Sequence, residues 1–303
     1  MPMPPRAETA IGVDVGGTRI RAARIGSEGE VKGHVTEPVR PDREGFSEQL
    51  ERLATTLQEE SVVAVGIGLP GRVDGPAQKL VSAGFLGIAG LDVPALVREA
   101  TGLPVRIEND ATMALVAEAR IRPDMSKGLI AMVTIGTGIG GALLRDGQPW
   151  YGGGFAGQFG HIVVAADGPL CNCGRCGCVE TFSSGKALGR LLSEAGLPEA
   201  MGAHDLLDRA EAGDQLATAL LEAWATPLAR ALQSLAAVAN PKAIILGGGL
   251  GNAMTAALTR LPQASPWFPL CVGAARLGDD AGVIGAGLAA LDARGARSWG
   301  VTG

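Results

Sequence analysis

The chain has 303 residues, 47% of them hydrophobic and 19% charged, a balance that fits a folded protein of about two domains and excludes global disorder. Its net charge of −5 and its 4% of aromatic residues speak against a nucleic-acid surface, a base-stacking platform and an anionic-membrane surface. The 46 glycines follow no collagen period and instead mark tight turns and close approach of backbone to ligand.

Met1 to Ala10 is Pro-rich and polar, without the apolar stretch of a secretory signal. Ile11–Val15 and Ile20–Ile25 read as a hairpin around Gly16-Gly17-Thr18-Arg19, with Val31–Thr36 as a third strand. Glu44–Glu60 carries Phe46, Leu50, Leu53 and Leu57 at helical spacing. Val62–Gly68 and Val105–Ile107 read as strands, and Val93–Thr101 and Ala111–Ala119 as helices. A second unit begins near Lys127, with strands Leu129–Ile135 and Ala142–Arg145 around Gly136–Gly141. The uncharged run Gly128–Leu144 is too short for a membrane span. After a loop-rich stretch, helices are expected at Lys186–Ala195, His204–Ala212 and Gln215–Val238, the last interrupted by Pro227. Strand Ala243–Leu246 leads into Gly247-Gly248-Gly249, followed by a helix, a strand near Leu270 and a closing helix at Ala281–Ala293. VDVGGTRI and VTIGTGIGG open the two halves in the same way, which implies a duplicated α/β unit with a cleft between the halves.

The first turn puts a carboxylate, Asp14, next to two bare amides, Gly16 and Gly17, and the hydroxyl of Thr18. Glycine amides can point at an anion, and a carboxylate can hold the water shell of Mg²⁺. One such turn alone also fits a plain β-turn; the second, Gly136-Thr137-Gly138, favours phosphate binding. No Walker A motif is present, and the two G-x-G-x-x-G matches, at Gly66 and Gly136, lack the strand–turn–helix setting of a dinucleotide site.

His161 precedes Cys171, Cys173, Cys176 and Cys178, crowded into eight residues, while Cys271 stands alone. This is a metal pattern rather than a secreted disulfide framework, and it points to a cytoplasmic protein. Thiolates with one imidazole make a closed tetrahedral zinc shell. Four free thiols and an iron–sulfur cluster are the alternatives, the latter with spacing unlike ferredoxin runs.

Together, DVGGTRI (14–20), GLPGRVD (68–74), ENDA (108–111), TIGTGIGG (134–141), GQFGH (157–161), CNCGRCGCVE (171–180), ILGGGLG (245–251) and GDDAGVIGAG (278–287) resemble the ROK family of sugar kinases over nearly the whole chain. The resemblance implies an α/β, two-domain, actin-like fold of the hexokinase and ribonuclease H type, with a zinc-binding loop. It places the N-terminal domain at 1–118, joined by the C-terminal helix of 281–303, and the second domain at 119–280. It implies ATP with Mg²⁺, bound by Asp14, Gly16, Gly17, Thr18, Arg19, Gly136, Thr137, Gly138, Gly247, Gly248 and Gly249. Asp110 matches the family's catalytic base for transfer of the γ-phosphoryl to a sugar hydroxyl, usually the 6-hydroxyl; on spacing alone an N-cap of the following helix is the favoured reading, and the resemblance turns it to catalysis. Asn109, Asp110, Gln158, His161 and Glu180 match sugar contacts; His161, Cys171, Cys173 and Cys178 match the zinc ligands, with Cys176 outside the set. A solvated helix-start carboxylate is the plainer reading of Glu180. The family often forms homodimers.

Two departures concern the sugar. The family motif Glu-x-Gly-His reads Gln158-Phe159-Gly160-His161 here, and Ser82–Ile88 lacks the usual Asn. An amide accepts on one side and donates on the other, whereas a carboxylate only accepts. N-acetylmannosamine, N-acetylglucosamine and glucose are the candidate substrates. A catalytically weak sugar- or nucleotide-binding protein is the first alternative. A sugar-responsive regulator is the second, disfavoured because the first phosphate turn begins at Asp14 and leaves no room for a DNA-binding domain before it.

Overall fold

The computed structural model describes residues 7–198, 200–262, 267 and 269–294. The described residues form two compact units, one within Met1–Ser126, Gly147–Pro149 and Asp279–Gly303, the other within Lys127–Asp146 and Trp150–Gly278. In chain order the elements are β1 (Thr9–Val15), β2 (Arg19–Gly26), β3 (Val31–Pro38), α1 (Arg43–Thr56), β4 (Val62–Leu69), β5 (Arg72–Asp74), β6 (Lys79–Ser82), α2 (Val93–Thr101), β7 (Val105–Asn109) and α3 (Asp110–Arg120). They continue with β8 (Leu129–Ile135), β9 (Ile139–Arg145), β10 (Gln148–Pro149), α4 (Glu180–Ser183), α5 (Gly185–Glu194), α6 (Ala203–Glu211), α7 (Gln215–Ala239), β11 (Ala243–Gly247), α8 (Gly251–Thr259), β12 (Val272–Ala274) and α9 (Ala281–Arg294). No helix among the described residues is long and apolar enough to cross a membrane.

The two main sheets share one plan. The first runs β3-β2-β1-β4-β7, the second β10-β9-β8-β11-β12. In each, an antiparallel hairpin (β1/β2 or β8/β9) is followed by two parallel neighbours.

Side-chain alternation explains how the first sheet is covered on both faces. Ile11, Val13, Val15 and Ile67 face α1 and α2, packing with Phe46, Leu50, Leu53 and Val97. Each such buried side chain contributes about 1.5–3 kcal/mol. The intervening positions are small: Ala10 and Ala64 pack with Ala290 of α9, and Met113 of α3 packs with Ala286 and Ala289. At Gly66 an added Cβ would run into the carbonyl oxygen of Ala286, so α9 lies directly on the strand backbone. That approach is what brings the C-terminal helix into the N-terminal unit.

In the second unit α7 continues unbroken from Gln215 to Ala239 with Pro227 inside it, contrary to the expected interruption. Proline removes one helical hydrogen bond, but Trp224, Ala225 and Leu228 on either side are fully buried. Trp224 is also tied by its indole N–H to the Ser184 carbonyl at 3.0 Å, and its own carbonyl accepts from Ser183 Oγ at 2.7 Å. Tertiary packing therefore holds the helix through the proline. Two further differences are local. β9 begins at Ile139 rather than Ala142, and the β5–β6 hairpin was not foreseen, its strands being three and four residues long.

Candidate active site and metal centre

In the first unit, the ends of three parallel strands converge. Asp14 on β1, Gly68 on β4 and Glu108 on β7 are aligned by the ladder, and ligands of open α/β sheets gather at such carboxyl ends. Gly68 lies between the two aspartates: a Cβ there would sit 3.6 Å from Asp14 Oδ1 and 3.5 Å from the Asp110 Cα. Asp14 is buried, and that burial, with the nearby Asp110 charge, pushes its carboxyl up to about 7 against the opposing pull of Arg21. Burial likewise raises Asp110 to about 6, offset in part by hydrogen bonds from the Ala111 amide and Asn109. Just beyond Asp14 the chain turns through Gly16, whose amide donates to the Arg19 carbonyl at 2.9 Å. Gly17, Thr18 and Arg19 are exposed, so the turn beyond Gly16, with the Thr18 hydroxyl, is open to a ligand.

Asn109, not Asp110, caps α3. Its Oδ1 accepts from the amides of Ala111 at 3.0 Å and Thr112 at 3.4 Å, while its Nδ2 donates to the Gly71 carbonyl at 3.0 Å. This frees the Asp110 carboxyl from the capping role that spacing alone allowed it, although Oδ1 of Asp110 still accepts from the Ala111 amide at 2.8 Å.

In the second unit the Gly136–Gly138 turn and the Gly247–Gly249 turn come together at the carboxyl ends of the neighbouring strands β8 and β11. Gly247 is in register with Thr134, and the Leu250 amide donates to the Ile135 carbonyl at 3.0 Å. Thr137, Gly248 and Gly249 are exposed. Glu180, at the start of α4, supports the first of these turns: its Oε2 accepts from the Ile139 amide at 3.1 Å. Gly138 leaves room for that oxygen: a Cβ there would sit 2.5 Å from it, and the Glu180 side chain would have to shift. The other oxygen, Oε1, accepts from Cys171 Sγ at 3.5 Å, so one carboxylate joins the glycine turn to the cysteine loop.

The ligand atoms of His161, Cys171, Cys173 and Cys178 all lie within 4.8 Å of one another. Cys171 Sγ is 3.5 Å from His161 Nδ1, and Cys173 and Cys178 sulfurs are 3.5 Å apart. With Zn–S near 2.3 Å, the edges of a tetrahedral shell are about 3.5–3.8 Å, so the donor set and its spacing fit zinc. Burial raises the Cys171 thiol and pushes Cys178 up to about 12, while Arg175 lowers exposed Cys173 to about 6; a bound cation would deprotonate all three. Cys176 lies outside the cluster and is exposed. Gln158 is exposed and immediately precedes the 3₁₀ turn Phe159–His161.

A family model described as the ROK family matches residues 10–293. The chain belongs to the ROK family. It is 31% identical to a glucokinase of Halalkalibacterium halodurans, covering 91% of this chain and 93% of the relative. It is 30% identical to an N-acetylmannosamine kinase of Escherichia coli, covering 93% and 98%. Its fold is that of the ROK family glucokinase from Streptomyces griseus solved in complex with glucose and AMPPNP, at a TM-score of 0.79, 31% identity and coverage of 94% and 99%.

Two charged residues of this ROK chain escaped the sequence reading. Arg21 lies opposite Asp14 across the β1/β2 hairpin, with Nη1 3.6 Å from Asp14 Oδ2, and it donates from Nη2 to Asp279 Oδ2 at 2.8 Å. Hairpin register would have located Arg21. Nothing in the sequence pairs Asp279, which is 258 residues away from it.

Proposed function

We propose that this ROK protein is an ATP-dependent sugar kinase that phosphorylates the 6-hydroxyl of a hexose or N-acetylhexosamine. The observation that carries the proposal is Asp110, a carboxyl held at about 6 by burial at the same strand ends as Asp14 and its glycine turn. Near neutral pH it is ionised yet basic enough to take a hydroxyl proton. As Asp110 accepts that proton, the sugar oxygen attacks the γ-phosphorus and the bond to ADP breaks.

Gly16, Gly17, Thr18 and Arg19 of the first unit, and Gly136–Gly138 with Gly247–Gly249 of the second, are assigned to ATP. Arg21 faces Asp14 and Asp279, and the Asp110 charge also acts on Asp14, an excess of negative charge that suits a cation near Asp14. Mg²⁺ bound with ATP would supply neutralisation of the phosphoryl charge. Asn109, Gln158, His161 and Glu180 are assigned to the sugar, with the Gln158 amide as the group that shifts recognition toward an N-acetylhexosamine. His161, Cys171, Cys173 and Cys178 would hold zinc, which orders the 157–180 loop that carries the sugar contacts.

ADP release with MgATP is measured on glucose, mannose, fructose, allose, N-acetylglucosamine and N-acetylmannosamine. Turnover of one sugar well above the others is expected. Absence of turnover on all six would reject the proposal for these substrates.

A further inference from the structure

One side chain completes the outer edge of the strand that leads to Asp110. Among the described residues β7 is the last strand of its sheet, so no described strand pairs with the main-chain groups on its outer side. At Ile107 both are nevertheless satisfied. Oε1 of Gln78 accepts from the Ile107 amide at 2.8 Å, and Nε2 of Gln78 donates to the Ile107 carbonyl at 3.1 Å. The same Nε2 also donates to the Gly75 carbonyl. A side-chain amide thus pairs with β7 as a peptide group of another strand would.

Gln78 holds this place at a conformational cost. Its φ of 52° lies in the left-handed region, which disfavours any residue with a Cβ. Backbone geometry at this position suits glycine; the side-chain hydrogen bonds are what glutamine adds. The hairpin that carries Gln78 grips the same corner a second time. Gly71, at its base, accepts from Asn109 Nδ2 at 3.0 Å. The two attachments, at Ile107 and Asn109, flank Glu108 and end one residue before Asp110.

We infer that Gln78 is a positioning residue: its side-chain amide closes the edge of β7, and the β5–β6 hairpin thereby holds Asn109 and Asp110 in place. The inference rests on Asp110 being the base. A displacement of about 1 Å at a reacting group costs on the order of 100-fold in rate, so partial loosening of this corner is expected to cost about tenfold.

The test is Gln78→Gly, because glycine relaxes the left-handed backbone and folding is then not the confounding factor. Amide hydrogen exchange at Ile107 reads the clip without any ligand. Steady-state kinetics use MgATP with glucose or N-acetylmannosamine, whichever turns over faster. We expect Ile107 exchange at least about tenfold faster and kcat about tenfold lower, with both KM values within about twofold. Gln78→Glu, which keeps the acceptor but not the donor, falls between. Unchanged Ile107 exchange in Gln78→Gly, or faster exchange with kcat unaltered, overturns the inference. Asp110→Asn is run beside it: retained turnover there sinks the base assignment, while the Ile107 exchange rate still reports the clip by itself.

Discussion

Replacing Asp110 by asparagine examines the base assignment and the burial argument together. The substitution keeps the size of the side chain and an oxygen for the Ala111 amide, now 2.8 Å away, but removes the proton-accepting carboxylate. Loss of general-base catalysis lowers the rate by about 10²–10⁴. The unaltered enzyme reports the same group through pH. With Asp110 at about 6, its ionised fraction falls from about 90% at pH 7 to about 10% at pH 5, and kcat falls about tenfold with it. Stability moves the other way. A carboxyl raised from 3.8 to about 6 adds stability that is fully present below pH 3.8 and lost as pH rises through 6. Two pH units correspond to at most about 3 kcal/mol. Asp110→Asn is therefore expected to be more stable than the parent at pH 8 by up to that amount, with the gain vanishing near pH 4. ADP release from pH 5 to 9 and urea unfolding of both proteins at pH 4 and pH 8 supply the measurements. A variant that keeps more than about a tenth of the parent rate, or a parent kcat flat between pH 5 and 7, refutes the reasoning.

Glu180→Ala removes the charged acceptor of the Ile139 amide and is expected to raise the KM for ATP about tenfold, by loosening the Gly136–Gly138 turn; an unchanged KM for ATP would show that the turn stands without it. Gly66→Ala drives a methyl into the Ala286 carbonyl and is expected to cost about 3 kcal/mol, read from denaturant midpoints. A midpoint within error of the parent would show that α9 yields without strain. Chelation of the metal is expected to expose residues 157–180 to protease before the rest of the chain, since few core side chains lie there; equal protection with and without chelator would remove the metal's structural role.

The hairpin Gly16–Thr18, its counterpart Gly136–Gly138, and the His161–Cys178 cluster were legible because each is local. Their chemistry is carried by neighbours in sequence, and turn glycines, capping residues and metal ligands obey rules of spacing. The covered faces of β1 and β4 were written there too, in the alternation of bulky residues at 11, 13, 15 and 67 with small ones at 10, 12, 64 and 66. That alternation could say that something lies close to the backbone, but not that it is α9.

What the tertiary structure decided is of another kind. Whether Pro227 breaks a helix depended on the burial of Trp224 and Leu228, which repays one lost hydrogen bond. Which of Asn109 and Asp110 caps α3 depended on the Gly71 carbonyl, 38 residues away. Gln78 reads as an ordinary turn residue until Ile107 of β7 is beside it. Asp279 acquires meaning only from Arg21. Sequence by itself set the family, the glycine turns and the ligand types, because those follow from covalent neighbours. The raised pKa values of Asp14 and Asp110 follow from desolvation by distant segments, and so only the folded chain could decide them.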